Sequence, residues 1–92
     1  PKSIRKIPND CFSECSQLKK IELKEGLCYI GRYAFSATKL EEIVIPASVS
    51  IIEYNAFAGI RSATRKTKVV LLGNSIYPKE LPDNIVVEHR NK

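Results

Sequence analysis

Three phenylalanines, Phe12, Phe35 and Phe57, each close a related hexapeptide: IPNDCF, IGRYAF and IEYNAF. They stand 23 and then 22 residues apart. Self-similarity at that period dictates a solenoid, because so short a unit buries its apolar face only by stacking on the next one. The spacing sets the fold class and places the phenylalanines in the interior of the stack.

The register extends beyond the aromatic position. From Phe12 the pattern runs through Leu18, Ile21, Glu22, Leu23 and Leu27 to Ile30, which opens the next unit. From Phe35 it runs through Leu40, Ile43, Val44, Ile45 and Val49 to Ile52, one residue shorter. From Phe57 it reaches Val70, Leu71, Leu72 and Ile76 about four residues late, which assigns an insertion to AGIRSATRKTK. Ala34 and Ala56 precede their phenylalanines and Cys11 holds the same place in the first unit, all small where stacked backbones approach. Pro1, Lys2, Ser3 and Ile4 match Pro46, Ala47, Ser48 and Val49, so the expected parent is a longer array, cut in mid-unit and uncapped at its N-terminal face. The sequence therefore carries no information on a signal peptide.

Local patterning gives the elements. The Leu-x-x-Ile-x-Ile/Leu alternation over 18–23 and 40–45 predicts short strands with Ile21, Leu23, Ile43 and Ile45 pointing inward. Pro46 ends its strand by removing a donor, and a second short extended run ends at Ile7, Ile30 or Ile52. The segments around Phe12, Phe35 and Phe57 are too short for a full helix, and one helical or 3₁₀ turn is expected at each. Asn84–Glu88 reads as a last strand closing the stack.

Ninety-two residues make one small domain of about three repeats. The formal charge of +5 is uneven: residues 1–60 carry eight Lys/Arg against seven Asp/Glu, and residues 61–92 seven against three. Arg61, Arg65, Lys66 and Lys68 crowd the insertion without an acid among them. That is either a site for a polyanion or a solvated loop keeping a solenoid edge soluble. Nucleic acid is disfavoured, since no aromatic interleaves with these cations. Three cysteines, with Cys11 and Cys15 flanking Phe12 and Cys28 apart, do not form a disulfide framework; Cys11 and Cys15 are expected as buried free thiols. The sole histidine, His89, lies near the C-terminus, so neither a zinc site nor a nucleophilic triad is expected. No apolar run approaches the roughly 18 residues of a membrane span.

The run IGRYAFSATKLEEIVIPASVSIIEYNAF, from Ile30 to Phe57, resembles the BspA-type (Treponema pallidum class) leucine-rich repeat, with Cys15 at a position where that family often has cysteine. The resemblance covers residues 1–76 and leaves 77–92 as a C-terminal cap or tail. It implies a right-handed solenoid with short parallel strands along one face and turns or 3₁₀ segments along the other. It also implies a protein-interaction module, rarely enzymatic, on the cell surface or secreted, with a role in adhesion or partner recognition; the alternatives are the polyanion site above or a structural spacer within a larger repeat protein, and no cofactor is expected.

Strand alternation then predicts the partner surface. With Ile21, Leu23, Ile43 and Ile45 inside, Lys20 and Glu22 face out from the first strand, Glu42 and Val44 from the second, and Val69 and Leu71 from the third. An apolar patch of Val44, Val69 and Leu71 with a charged rim is a candidate protein interface. Two plainer outcomes compete: residues 77–92 folding back over the patch, or ordinary exposed valine. Tyr29, Tyr33 and Tyr54 lie around the turns, where half-buried staples between repeats are expected.

Overall fold

The computed structural model describes residues 5–61, 66–78 and 81–90. Pro1–Ile4, Arg65 and the middle of the basic insertion lie outside the described residues. Seven short strands follow in chain order: β1 (Lys6–Ile7), β2 (Lys20–Glu22), β3 (Tyr29–Ile30), β4 (Glu42–Ile45), β5 (Ile51–Ile52), β6 (Thr67–Leu71) and β7 (Ile85–His89). The strands separate into two sheets, β1-β3-β5 and β2-β4-β6-β7, alternating between them up to β6 and with β7 joining the second. Every pairing between them is parallel. The fold is a β-solenoid in which the first three circuits contribute one strand to each sheet and the last contributes β7 and the bridge residue Ile76, and no helix occurs among the described residues.

The interior is the stack that the phenylalanine spacing demands. The rings of Phe12 and Phe35 lie 5.4 Å apart and 7° from parallel, and those of Phe35 and Phe57 5.9 Å apart and 8° from parallel. These spacings sit near the roughly 4.8 Å between neighbouring strands. Backbone bonds set the spacing: the Phe12 amide donates to the Ala34 carbonyl at 2.8 Å and the Phe35 amide to the Ala56 carbonyl at 2.9 Å. Ala34 and Ala56 are buried beside the rings. Among the described residues Thr38, Thr67 and Ser75 are the buried polar side chains, and each hydroxyl donates to a carbonyl, of Phe35, Leu40 and Val49 respectively.

The connecting segments are paired β-turns and not the helical or 3₁₀ turns expected. The amide of Cys11 donates to the Pro8 carbonyl and that of Cys15 to the Phe12 carbonyl, while Asp10 and Glu14 take φ of 63° and 64°. The pattern recurs at Tyr33 and Ala37 (both 57°), and at Asn55 and Gly59 (59° and 69°). A left-handed residue every fourth position stops right-handed helix from propagating. Asp, Asn and Gly tolerate that conformation, whereas Ala37 is strained in it.

Two further expectations are corrected. In the third circuit the register is one residue earlier than the sequence walk: Ile43 pairs with Val69, Val44 with Val70 and Ile45 with Leu71. Val69 and Leu71 therefore point inward, 2% and 1% exposed, and Val70 is the outward residue. Ile76 accordingly bridges Ile51 and does not replace Val49, while Ser75 before it is buried and donates to the Val49 carbonyl. Cys11 and Cys15 are free but exposed, because they sit on the first described circuit with no described circuit stacked beyond them. Their equivalents one repeat later, Ala34 and Thr38, are buried.

At the other end β7 lies beside β6, and Ile85 and Val87 pack on the core with Tyr77. The space left among Ile52, Phe57, Val69, Leu71 and these residues is about 10 Å³, at the lower limit for a single water. The rings at the two ends of the ladder thus differ, Phe57 being buried and Phe12 half-exposed.

Phe35→Ala, which removes the middle ring, is expected to cost about 3–5 kcal/mol. Phe12→Ala should cost about 1–2 kcal/mol, since less of its area leaves water. Ala37→Gly should stabilise by about 0.5–1 kcal/mol, because relief of the left-handed strain exceeds glycine's entropy cost. Urea denaturation midpoints of the three variants check the order; equal losses at Phe12 and Phe35 would contradict the ladder's asymmetry.

Candidate interaction face

The outward side of the four-stranded sheet follows directly from the register. One cross-strand row is Lys20, Glu42, Lys68 and Val86; the next is Glu22, Val44, Val70 and Glu88. In the first row the charges alternate in sign, so each lysine has a carboxylate as lateral neighbour, the arrangement that stabilises cross-strand pairs. In the second, two carboxylates bracket two valines. Lys20, Glu22 and Lys68 are exposed, Glu42 and Val44 are half-buried, and Val70 is fully covered between its neighbours.

The predicted residues Lys20, Glu22, Glu42 and Val44 do come together. They line an open concavity of about 610 Å³ with Ile21, Leu23 and Leu72. Val69 and Leu71 do not join them, being in the core. The apolar part of the face is therefore Val44 and Leu72, smaller than the patch the sequence predicts. β7 does not fold over this face: it lies beside β6 and lengthens it, adding Val86 and Glu88.

At that end the charges are engaged. The Glu88 carboxylate takes the Lys68 ammonium at 3.5 Å through Oε1 and the Arg90 guanidinium through Oε2. The hydrogen bond from Arg90, with the two positive charges, holds the Glu88 carboxyl below the usual carboxylate range against the opposing effect of desolvation. Of the basic set, Lys68 is thus a strand residue paired to Glu88, while Arg61 and Lys66 are exposed. Arg65 lies outside the described residues.

A second exposed surface was not picked out by sequence reasoning. The outward row of the short sheet is Lys6, Tyr29, Ile51 and Ile76, with Ile51 40% and Ile76 68% exposed. Tyr54, 62% exposed, lies near it in sequence and is not the half-buried staple expected. Tyr33 is exposed too, yet its hydroxyl accepts a hydrogen bond from Asn55 Nδ2 at 3.0 Å and so ties two circuits together. Burial, a hydrogen bond to Glu53 and that group's negative charge push the Tyr29 phenol up. The signal was present in the first unit, where charged Lys6 occupies this position and marks it as outward.

Among the described residues no group of three or more His, Cys, Asp or Glu is placed to hold a metal ion. No helix of the described residues is long and apolar enough to cross a membrane.

Parallel strands from successive short repeats, a phenylalanine ladder inside and a laterally continuous strand face outside define a leucine-rich-repeat solenoid. The family model of the BspA type leucine rich repeat region (6 copies) matches residues 1–71, and the chain belongs to that family. Comparison with curated proteins gives no match, and comparison with solved structures gives none. Repeat proteins of this kind are used in protein interaction, typically as non-enzymatic scaffolds.

The Glu88 cluster predicts an acid dependence. A carboxyl with a lowered folded pKa binds protons less readily than in the unfolded chain, so its stabilisation is full above the ordinary value near 4.5 and is lost as pH falls through the folded one. An NMR titration should place the Glu88 midpoint below the ordinary glutamate value, and Arg90→Gln should raise it. A Glu88 midpoint unmoved by Arg90→Gln would contradict the assignment.

Proposed function

We propose that this chain is a protein-interaction scaffold whose partner surface is the outward face of the four-stranded sheet, serving adhesion or recognition at the cell surface. The observation that carries the reading is the concavity in which Lys20, Glu22, Glu42 and Val44 converge beside Leu72. Its apolar floor and charged rim are the composition of a protein-binding patch. Parallel register makes the face laterally continuous, so contacts add from one circuit to the next. Membership of a family whose proteins are commonly surface or secreted supports the setting. The competing polyanion reading, through Arg61, Arg65, Lys66 and Lys68, is weakened by the engagement of Lys68 with Glu88.

Affinity capture from a surface-protein extract, with Glu42→Lys/Val44→Lys beside the native chain, separates these readings. The face reading expects partners that stay bound at physiological salt and are retained about tenfold less well by the variant. Capture lost steeply with salt but indifferent to the variant would contradict it and move the site to the basic insertion.

A further inference from the structure

The short sheet turns outward the row Lys6, Tyr29, Ile51 and Ile76, none of which belongs to the face proposed for protein binding. Its strands β1, β3 and β5 are two residues long, so this face is narrow along the strands and extended along the stack. Ile51 has a described neighbour on each side, Tyr29 and Ile76, and is still 40% exposed. Its exposure therefore belongs to the face and does not come from an end of the stack. Ile76 beside it, and Tyr54 on the turn that follows, are more exposed still.

The charges here are not balanced among themselves. Glu53 accepts a hydrogen bond from the Tyr29 hydroxyl, and the positive charge of Arg32 also reaches that phenol. Among the described residues the ion pairs are those of Glu88, which leaves Lys6 and Arg32 outside any. Two exposed cations thus accompany the exposed isoleucines and tyrosine, in a chain of net charge +5.

Size and charge together select the occupant. A stable protein interface takes roughly 20–30 residues from each side, whereas this row offers two aliphatic side chains on a strip two residues wide. A bilayer surface needs no matching shape. It takes up projecting apolar groups in proportion to their area and attracts cations through its anionic lipids, and tyrosine settles at the depth of its headgroups. We propose that the short-sheet face docks on an anionic lipid surface. Ile51 and Ile76 enter the boundary between headgroups and acyl chains, Tyr54 lies at headgroup depth, and Lys6 and Arg32 meet the lipid phosphates. Docking through this sheet leaves the outward face of β2, β4, β6 and β7 to a protein partner, so the two readings stand or fall separately.

The test is sedimentation of the chain with vesicles of phosphatidylcholine alone and of phosphatidylcholine mixed with phosphatidylglycerol. The mixed vesicles are expected to bind the chain about tenfold more tightly, through two cations near a charged surface. Ile51→Ser/Ile76→Ser should weaken that binding about tenfold, and Lys6→Gln/Arg32→Gln should abolish the difference between the two vesicles. Arg61→Gln/Lys66→Gln, in the basic insertion, should change neither result. A second readout uses the native chain, which has four tyrosines and no tryptophan. Acyl chains carrying bromine should quench its emission, and Tyr54→Phe, which keeps the ring, should reduce that quenching. No binding to the mixed vesicles overturns the proposal and leaves the face to a protein partner. Binding indifferent to Ile51→Ser/Ile76→Ser, binding lost only on replacing Arg61 and Lys66, or quenching unchanged in Tyr54→Phe overturns it as well.

Discussion

The bond from the Phe12 amide to the Ala34 carbonyl, repeated from Phe35 to Ala56, is the constraint on which the rest of the molecule depends. It joins each circuit to the next at the residue whose ring must stack, so ring spacing follows backbone spacing. A bulky side chain in place of Ala34 or Ala56, both buried beside the rings, would part the circuits there. Once the circuits are locked at this distance, the strands meet in parallel register without further choice. The inward rows, Ile21–Ile43–Val69–Val87 and Ile45–Leu71, then line up as continuous ridges. Buried hydroxyls of Thr38, Thr67 and Ser75 satisfy carbonyls that the irregular segments leave over.

The same locking frees the outer surface. Because the core rows and turn bonds carry stability, outward positions vary from circuit to circuit without disturbing the stack. Lys20, Glu42 and Lys68 use that freedom to alternate in sign along one row, while Val44 and Leu72 leave an apolar floor. The two ends are not equivalent. β7 lays Ile85 and Val87 over the last ring, whereas Phe12, Leu18, Ile21 and Leu23 at the first described circuit stay half-exposed. The outward face and the stability of the stack therefore draw on different residues.

Much of this was legible in the sequence. The phenylalanine period, the inward isoleucines of β2 and β4 and the position of β7 all follow from spacing and alternation. The slip in β6 has a definite cause. Val69, Val70, Leu71 and Leu72 are all apolar, so period-two alternation does not choose between two registers after an insertion of about four residues. Lys68 resolves it, since a charged residue must face out and so places Val70 on the same side. The positive-φ turns were also encoded, in Asp10, Asn55 and Gly59 at equivalent turn positions, residues that favour left-handed backbone. The exposure of Cys11 and Cys15 was not encoded locally. It depends on whether another circuit covers them, a property of the stack and not of the repeat.

Methyl and aromatic NOE measurements on the labelled chain test the central claim of a single locked register most directly. The account predicts contacts of the Phe35 ring with both Phe12 and Phe57, together with Ile43 to Val69 and Ile45 to Leu71. Contacts of Ile43 with Val70 and of Ile45 with Leu72, or a Phe35 ring in contact with only one of its neighbours, would contradict it.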